Sequence, residues 1–228
     1  MLGQLSKVIW QYPKFKGDML ETIKSSEVNL HRYLQTMFGK GYTEYFRKEK
    51  LVRTEAEISS ICKIAVDAGP LAHGALFCGI PGCGKTMTML QIAHLIGHSL
   101  LEKRLAKAFD EGNMMPLTDD WFKSKMKLFC MSQIDKDTVT ACKRNTPFIF
   151  LDDLVFVGLT DTRRQMLESI IESCCRNNTI IFGTTNMHPD DLEQIPEMQR
   201  VYSRLNLKCR FVIFESIDLR LGGNGEVV

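Results

Sequence analysis

The chain has 228 residues, of which 44% are hydrophobic and 25% charged, the make-up of one ordinary folded domain or one domain with a short appendage. A chain this long buries roughly 70% of its unfolded surface, which excludes a disordered tail, a disulfide-stapled miniprotein and a fibre. Lys+Arg 29 against Asp+Glu 27 leave a net charge of +2, too balanced to mark a nucleic-acid binder by charge alone.

Residues 1–48 read as a small N-terminal helical extension rich in aromatics, with Trp10, Tyr12, Phe15, Tyr33, Phe38, Tyr42, Tyr45 and Phe46. These side chains either dock a partner or form a small core beneath the next unit. The first apolar stretch is too short for a signal peptide, and nothing approaches the roughly 18 apolar residues of a membrane span. Residues 49–228 form the second unit. It opens on a predicted amphipathic helix over 54–68, with Ile58, Ile61, Cys62 and Ala65 on one face.

Five apolar runs then alternate with helical ones. The runs are 75–79 (ALFCG), 127–131 (KLFCM), 148–153 (FIFLDD), 179–186 (TIIFGTTN) and 209–216 (CRFVIFES). Each reads as a strand covered on both faces. Thr86 to Lys107 carries Met89, Leu90, Ala93, Ile96, Leu100 and Leu101 at helical spacing, and Asp161 to Arg176 carries Met166, Leu167, Ile170, Ile171 and Cys174. The stretch 111–126 shows no period and reads as a loop. Strands alternating with helices predict a three-layer α/β domain around a mostly parallel five-stranded sheet.

The first strand runs directly into Gly79-Ile80-Pro81-Gly82-Cys83-Gly84-Lys85-Thr86, a complete G-x-x-x-x-G-K-[ST]. Its glycines let backbone N–H groups curl around a phosphate, and the helix that follows presents its N-terminus to the anion. Lys85 is placed for the β- and γ-phosphates of ATP, and the Thr86 hydroxyl for Mg²⁺. The third run ends in Asp152-Asp153. Asp152 is expected to hold the metal through its water shell, and Asp153 to orient or deprotonate the attacking water. The fourth run ends in Thr184-Thr185-Asn186. Asn186 is the first candidate to touch the γ-phosphate or the water, with Thr185 second. This strand is expected between the other two.

In this order the motifs resemble those of AAA+ ATPases, and more narrowly the DnaC/IstB group of helicase loaders and transposition ATPases. The resemblance spans residues 50–222 and rests on GIPGCGKT, FIFLDDL, IIESCCRNN, TIIFGTTNM, MQRVYSRL and ESIDLR. It implies a P-loop NTPase fold without the C-terminal helical lid of most AAA+ proteins. It also implies an arginine given to the neighbouring subunit's γ-phosphate, hence a homo-oligomer in the ATP state. Arg204 in Ser203-Arg204-Leu205 matches that arginine, with Arg200 in reserve; Arg220 resembles the group's closing arginine and is given no role. The implied partners are a replicative helicase, or a transposase, and single-stranded DNA. Two features depart from the group: a long interval between Lys85 and Asp152, and an N-terminal region with neither zinc cysteines nor a helix-turn-helix.

Other classes were weighed. A superfamily-three viral helicase combines a P-loop, an acidic pair and a Thr-Thr-Asn strand end, but the long interval and the SRL segment speak against it. A nucleotide kinase lacks support because no arginine-rich lid segment follows the P-loop. The eight cysteines contain no C-x-x-C pair and sit mostly in apolar runs, so free thiols in a reducing cytoplasm are expected. His94 and His98 are four apart on the P-loop helix but read as ordinary flanking residues. The runs 47–50 and 123–127 read as solvated charge, with contact to DNA phosphates as the alternative.

Overall fold

All five apolar runs become strands, and the strands align in one direction. In the computed structural model, which describes residues 18–39, 74–110, 116–143 and 146–214, they are β1 (Ala75–Gly79), β2 (Met126–Cys130), β3 (Phe148–Leu154), β4 (Ile180–Thr185) and β5 (Arg210–Phe214). Their order across the sheet is β2-β3-β4-β1-β5, with every pairing parallel. β4 therefore lies between β1 and β3, as expected.

Seven helices accompany the sheet among the described residues: α1 (Asp18–Phe38), α2 (Lys85–Asp110), α3 (Asp119–Lys125), α4 (Lys136–Lys143), α5 (Asp161–Arg176), α6 (Pro189–Glu193) and α7 (Gln199–Lys208). Strand residues alternate between the faces of the sheet, and the two faces carry different chemistry. Phe77, Phe150, Phe182 and Phe214 pack on one side with Met89, Leu90 and Ala93 of α2 and Leu30, Tyr33 and Leu34 of α1. Leu76, Cys78, Ile149, Leu151 and Ile181 pack on the other with Leu167, Ile170 and Ile171 of α5 and Val201 and Leu205 of α7. Each Leu, Ile, Val, Phe or Met among them contributes about 1.5–3 kcal/mol by leaving water. The result is the predicted three-layer α/β domain.

Of the N-terminal aromatics, the described ones serve the core. Tyr33 is buried and Phe38 packs against the same cluster. Polar contacts hold α1 in place as well: Ser26 Oγ accepts the Leu117 N–H at 2.9 Å, Asn29 Nδ2 donates to the Leu117 carbonyl at 2.7 Å, and the Tyr33 hydroxyl donates to the Met126 carbonyl.

Part of the stretch read as a loop is a helix. α3 starts after Thr118, whose side chain accepts the Trp121 N–H, carries Asp119 and Asp120 in its first turn and Lys123 and Lys125 in its last. Caps and charges matched to the helix dipole set its ends. The basic run here is paired with its own helix, Lys123 with Asp120 at 3.1 Å and Lys125 over the Trp121 ring at 5.7 Å. The second strand spans Met126–Cys130 rather than 127–131, ending one residue earlier because Met131 opens a 3₁₀ turn (Met131–Gln133). The helix expected over 54–68, Arg220, the run 47–50 and the segment bearing on a C-terminal lid lie outside the described residues. No described helix is long and apolar enough to cross a membrane.

Candidate nucleotide-binding and hydrolysis site

The site lies where β1, β3 and β4 end, because parallel strands deliver their carboxyl ends to one edge of the sheet. β1 breaks at Gly79 (φ +152°), and Gly82 (φ +81°) and Gly84 (φ +91°) turn the loop through conformations that L side chains rarely adopt. A Cβ at Gly79 would meet the Phe214 carbonyl at 2.7 Å. The loop is thus a glycine cradle opening α2 at Lys85, which fits a nucleotide's phosphates.

Lys85 is 7% exposed, and its ammonium points back into the cradle. It donates to the Gly79 carbonyl at 2.8 Å, the Ile80 carbonyl at 2.7 Å and Asn186 Oδ1 at 2.9 Å, with Cys83 Sγ at 3.6 Å. Those contacts give a cation nearly out of water the partners it requires. The next residue, Thr86, donates its hydroxyl to Asp152 Oδ1 at 3.0 Å. A hydroxyl and a carboxylate oxygen so close are both hard donors suited to Mg²⁺.

The acidic pair is split by a bulge in β3, where pairing with β4 shifts between Leu151 and Leu154. Asp152 stays half-buried in the strand, whereas Asp153 takes φ +55° and is exposed. A left-handed non-glycine costs about 1–3 kcal/mol where it is held by its surroundings, and here one side chain does the holding. Thr184 Oγ1 accepts the Asp153 N–H at 2.8 Å and donates to Asp152 Oδ1 at 2.7 Å. Asn186 closes the ring, with its Nδ2 donating to Asp153 Oδ1 at 3.4 Å.

Lys85, Thr86, Asp152, Asp153 and Asn186 are therefore joined, with Thr184, in one hydrogen-bonded cluster. Thr185, the second candidate at the strand end, belongs elsewhere. It is buried, donates to the Leu154 carbonyl at 2.9 Å and accepts the Met187 N–H at 3.2 Å. Thr184 was the residue the sequence reading passed over. Strand alternation puts Thr184 and Asn186 on one face and Thr185 on the other, a signal that was available.

Arg204 stands apart. It lies on α7, is partly exposed, and among the described residues hydrogen-bonds only the Arg200 carbonyl, at 3.1 Å. Arg200 is exposed on the same helix. Neither is joined to the cluster around Lys85. Behind the cradle, burial pushes the Cys78 thiol up to about 12, against the opposing pull of Lys85.

Residues 75–211 match the ATPase family associated with various cellular activities. The chain is an AAA ATPase. The AAA match begins at β1 and ends within β5, so it takes in four strands, the start of the fifth and every member of the cluster. The family is one of ATPases, and the cradle lies within the matched residues. Solved structures similar to this AAA chain include that of DnaI (16% identity, 75% of this chain and 88% of that one, TM-score 0.45) and that of the DnaC helicase loader (18%, 73% and 92%, TM-score 0.46). A third is AMPPCP-bound DnaA from Aquifex aeolicus (14%, 74% and 49%, TM-score 0.46). At such identities and scores the likeness decides nothing about partner or substrate. No curated protein sequence matches the chain.

Proposed function

We propose that this ATPase is a helicase loader, a switch that engages a replicative helicase and single-stranded DNA in its ATP state and lets go on hydrolysis. The supporting observation is the division of labour between a finished cluster around Lys85 and an arginine, Arg204, that has no tie to that cluster in its own chain. An arginine placed so is useful to a neighbouring copy, and hydrolysis then depends on assembly. The SRL segment that carries Arg204, and the Asp-Asp pair, are the features that resemble the loader group.

Within the site, Lys85 steadies the β- and γ-phosphates, and Thr86 with Asp152 would hold Mg²⁺. That ion supplies neutralising charge to the phosphates. Asp153 orients the attacking water and accepts its proton, while Asn186 fixes both Asp153 and the lysine. The partner copy's arginine stabilises charge on the transferring phosphoryl group. Residues 1–48 are assigned to helicase docking, and the setting is the cytoplasm, where the described cysteines, all free thiols, would stay reduced.

The test is affinity capture from the native cell with ATP present, using Asp153→Asn chain to slow release. A replicative helicase among the captured proteins supports the reading. A transposase in its place moves the chain to the transposition ATPases, and strand displacement by the purified chain alone would make it a helicase instead.

A further inference from the structure

Three imidazoles meet where α1 packs against α2. His94 and His98 lie one turn apart on α2, and His31 comes from α1 (residues 18–38), far away in sequence. Their rings stand 4.4 Å (His94–His98), 5.4 Å (His31–His94) and 6.0 Å (His31–His98) between centroids. One nitrogen from each can be chosen so that all lie within 4.8 Å of one another, and the Nε2 atoms of His94 and His98 are 3.1 Å apart. We propose that His31, His94 and His98 form a three-imidazole site for a divalent transition metal, zinc by its chemistry, which pins α1 to the helix leaving the P-loop.

The geometry suits that ion. Zinc–nitrogen bonds of about 2.0–2.1 Å in a tetrahedron put neighbouring nitrogens roughly 3.3 Å apart. The His94–His98 pair already meets this, as i,i+4 histidines on one helix do. The His31 ring closes the remaining gap of roughly 1.5 Å by turning about its side-chain bonds. Imidazole nitrogen selects zinc and its first-row neighbours over magnesium and calcium, which take oxygen. Three histidines leave a fourth position for water.

The scaffold is stiff where the site needs it to be. Gly97, between the two α2 histidines, lets α1 come so close that an added Cβ would meet Leu30 Cδ1 at 2.5 Å. Leu30 is the residue before His31, so the closest approach of the helices sits beside the rings. Glu27, half-buried one turn before His31, lies on the same side of α1. Burial lowers the imidazole pKa values of all three histidines, His94 to about 3 and His98 to about 4, with mutual repulsion adding to both.

The experiment is titration of the full chain, first stripped with a chelator, with zinc against a chromophoric competitor and with cobalt by visible absorption. The expected result is one ion per chain with nitrogen and oxygen ligands and no thiolate charge-transfer band, and a thermal midpoint raised by zinc. His31→Gln and His98→Gln should each weaken zinc by more than the roughly 10–100-fold that losing an outer-shell partner costs. ATP binding and the circular-dichroism spectrum should be unchanged. Should His98→Gln fail to fold, His31→Gln on α1 gives the same reading. Absence of stoichiometric zinc, equal affinity in the His31→Gln chain, or a thiolate band from cysteine ligation would each overturn the proposal.

Discussion

Lys85 and Arg204 are both cations expected at the same phosphate, yet they are housed in opposite ways. Lys85 is almost fully buried, with two backbone carbonyls and an asparagine around its ammonium. Arg204 is partly exposed on α7, bonded to one carbonyl of its own helix. Burying a charge is tolerable only where its partners are already built, so the lysine's position is fixed by this chain's fold. The arginine keeps its five donors mostly uncommitted and becomes useful when another surface meets it. In the proposed function, binding is written into the monomer and the speed of hydrolysis is left to assembly.

The contrast can be broken from either side. Lys85→Ala should leave no measurable ATP hydrolysis, and retained turnover in a phosphate-release assay would remove the cradle from its assigned role. Arg204→Ala should keep ATP binding while turnover falls on the order of 10³-fold, as arginine fingers elsewhere do. Mixing it with Asp153→Asn chains should restore part of that turnover, since one copy then offers an intact site and the other an intact arginine. No recovery across mixing ratios would place Arg204 outside the reaction.

Asn186→Ala should cost on the order of 10²-fold in turnover, through loss of the bridge between Lys85 and Asp153, with nucleotide affinity measured by fluorescence little altered. Thr184→Val keeps the shape but removes the hydroxyl serving both aspartates, and should lower unfolding free energy by about 1–3 kcal/mol in a denaturant titration. The smallest effect is a rate. Cys78 and Cys142, whose thiols burial pushes up to about 12, hold little thiolate below that pH and should resist alkylation in the native chain. Labelling at pH 8 as fast as in urea would show that the interior behind Lys85 is open.

How much of this could be read from the sequence depended on the range of the interaction. Strands buried on both faces are apolar runs, so 75–79 and 148–153 declared themselves, and the P-loop followed from its spacing. α3 did not, since seven residues give too few turns for a period and its start is set by one Thr118 hydroxyl. Thr184 was legible through strand alternation, but the preference for Asn186 and Thr185 turned on the end of the run rather than its pleat. His31 beside His94 and His98 could not have been read, because the contact between α1 and α2 is tertiary.

α2 runs without interruption from the phosphate cradle to Asp110, 26 residues, a rod of about 39 Å. α1 meets it near the middle, at Gly97, where an added Cβ would lie 2.5 Å from Leu30 Cδ1. A turn of about 10° about that point would carry each end of such a rod roughly 3 Å in opposite directions. Spin labels at Lys107 and Arg176 would register that stroke as a changed distance between ATP and ADP states, and an unchanged distance would show that the rod is fixed.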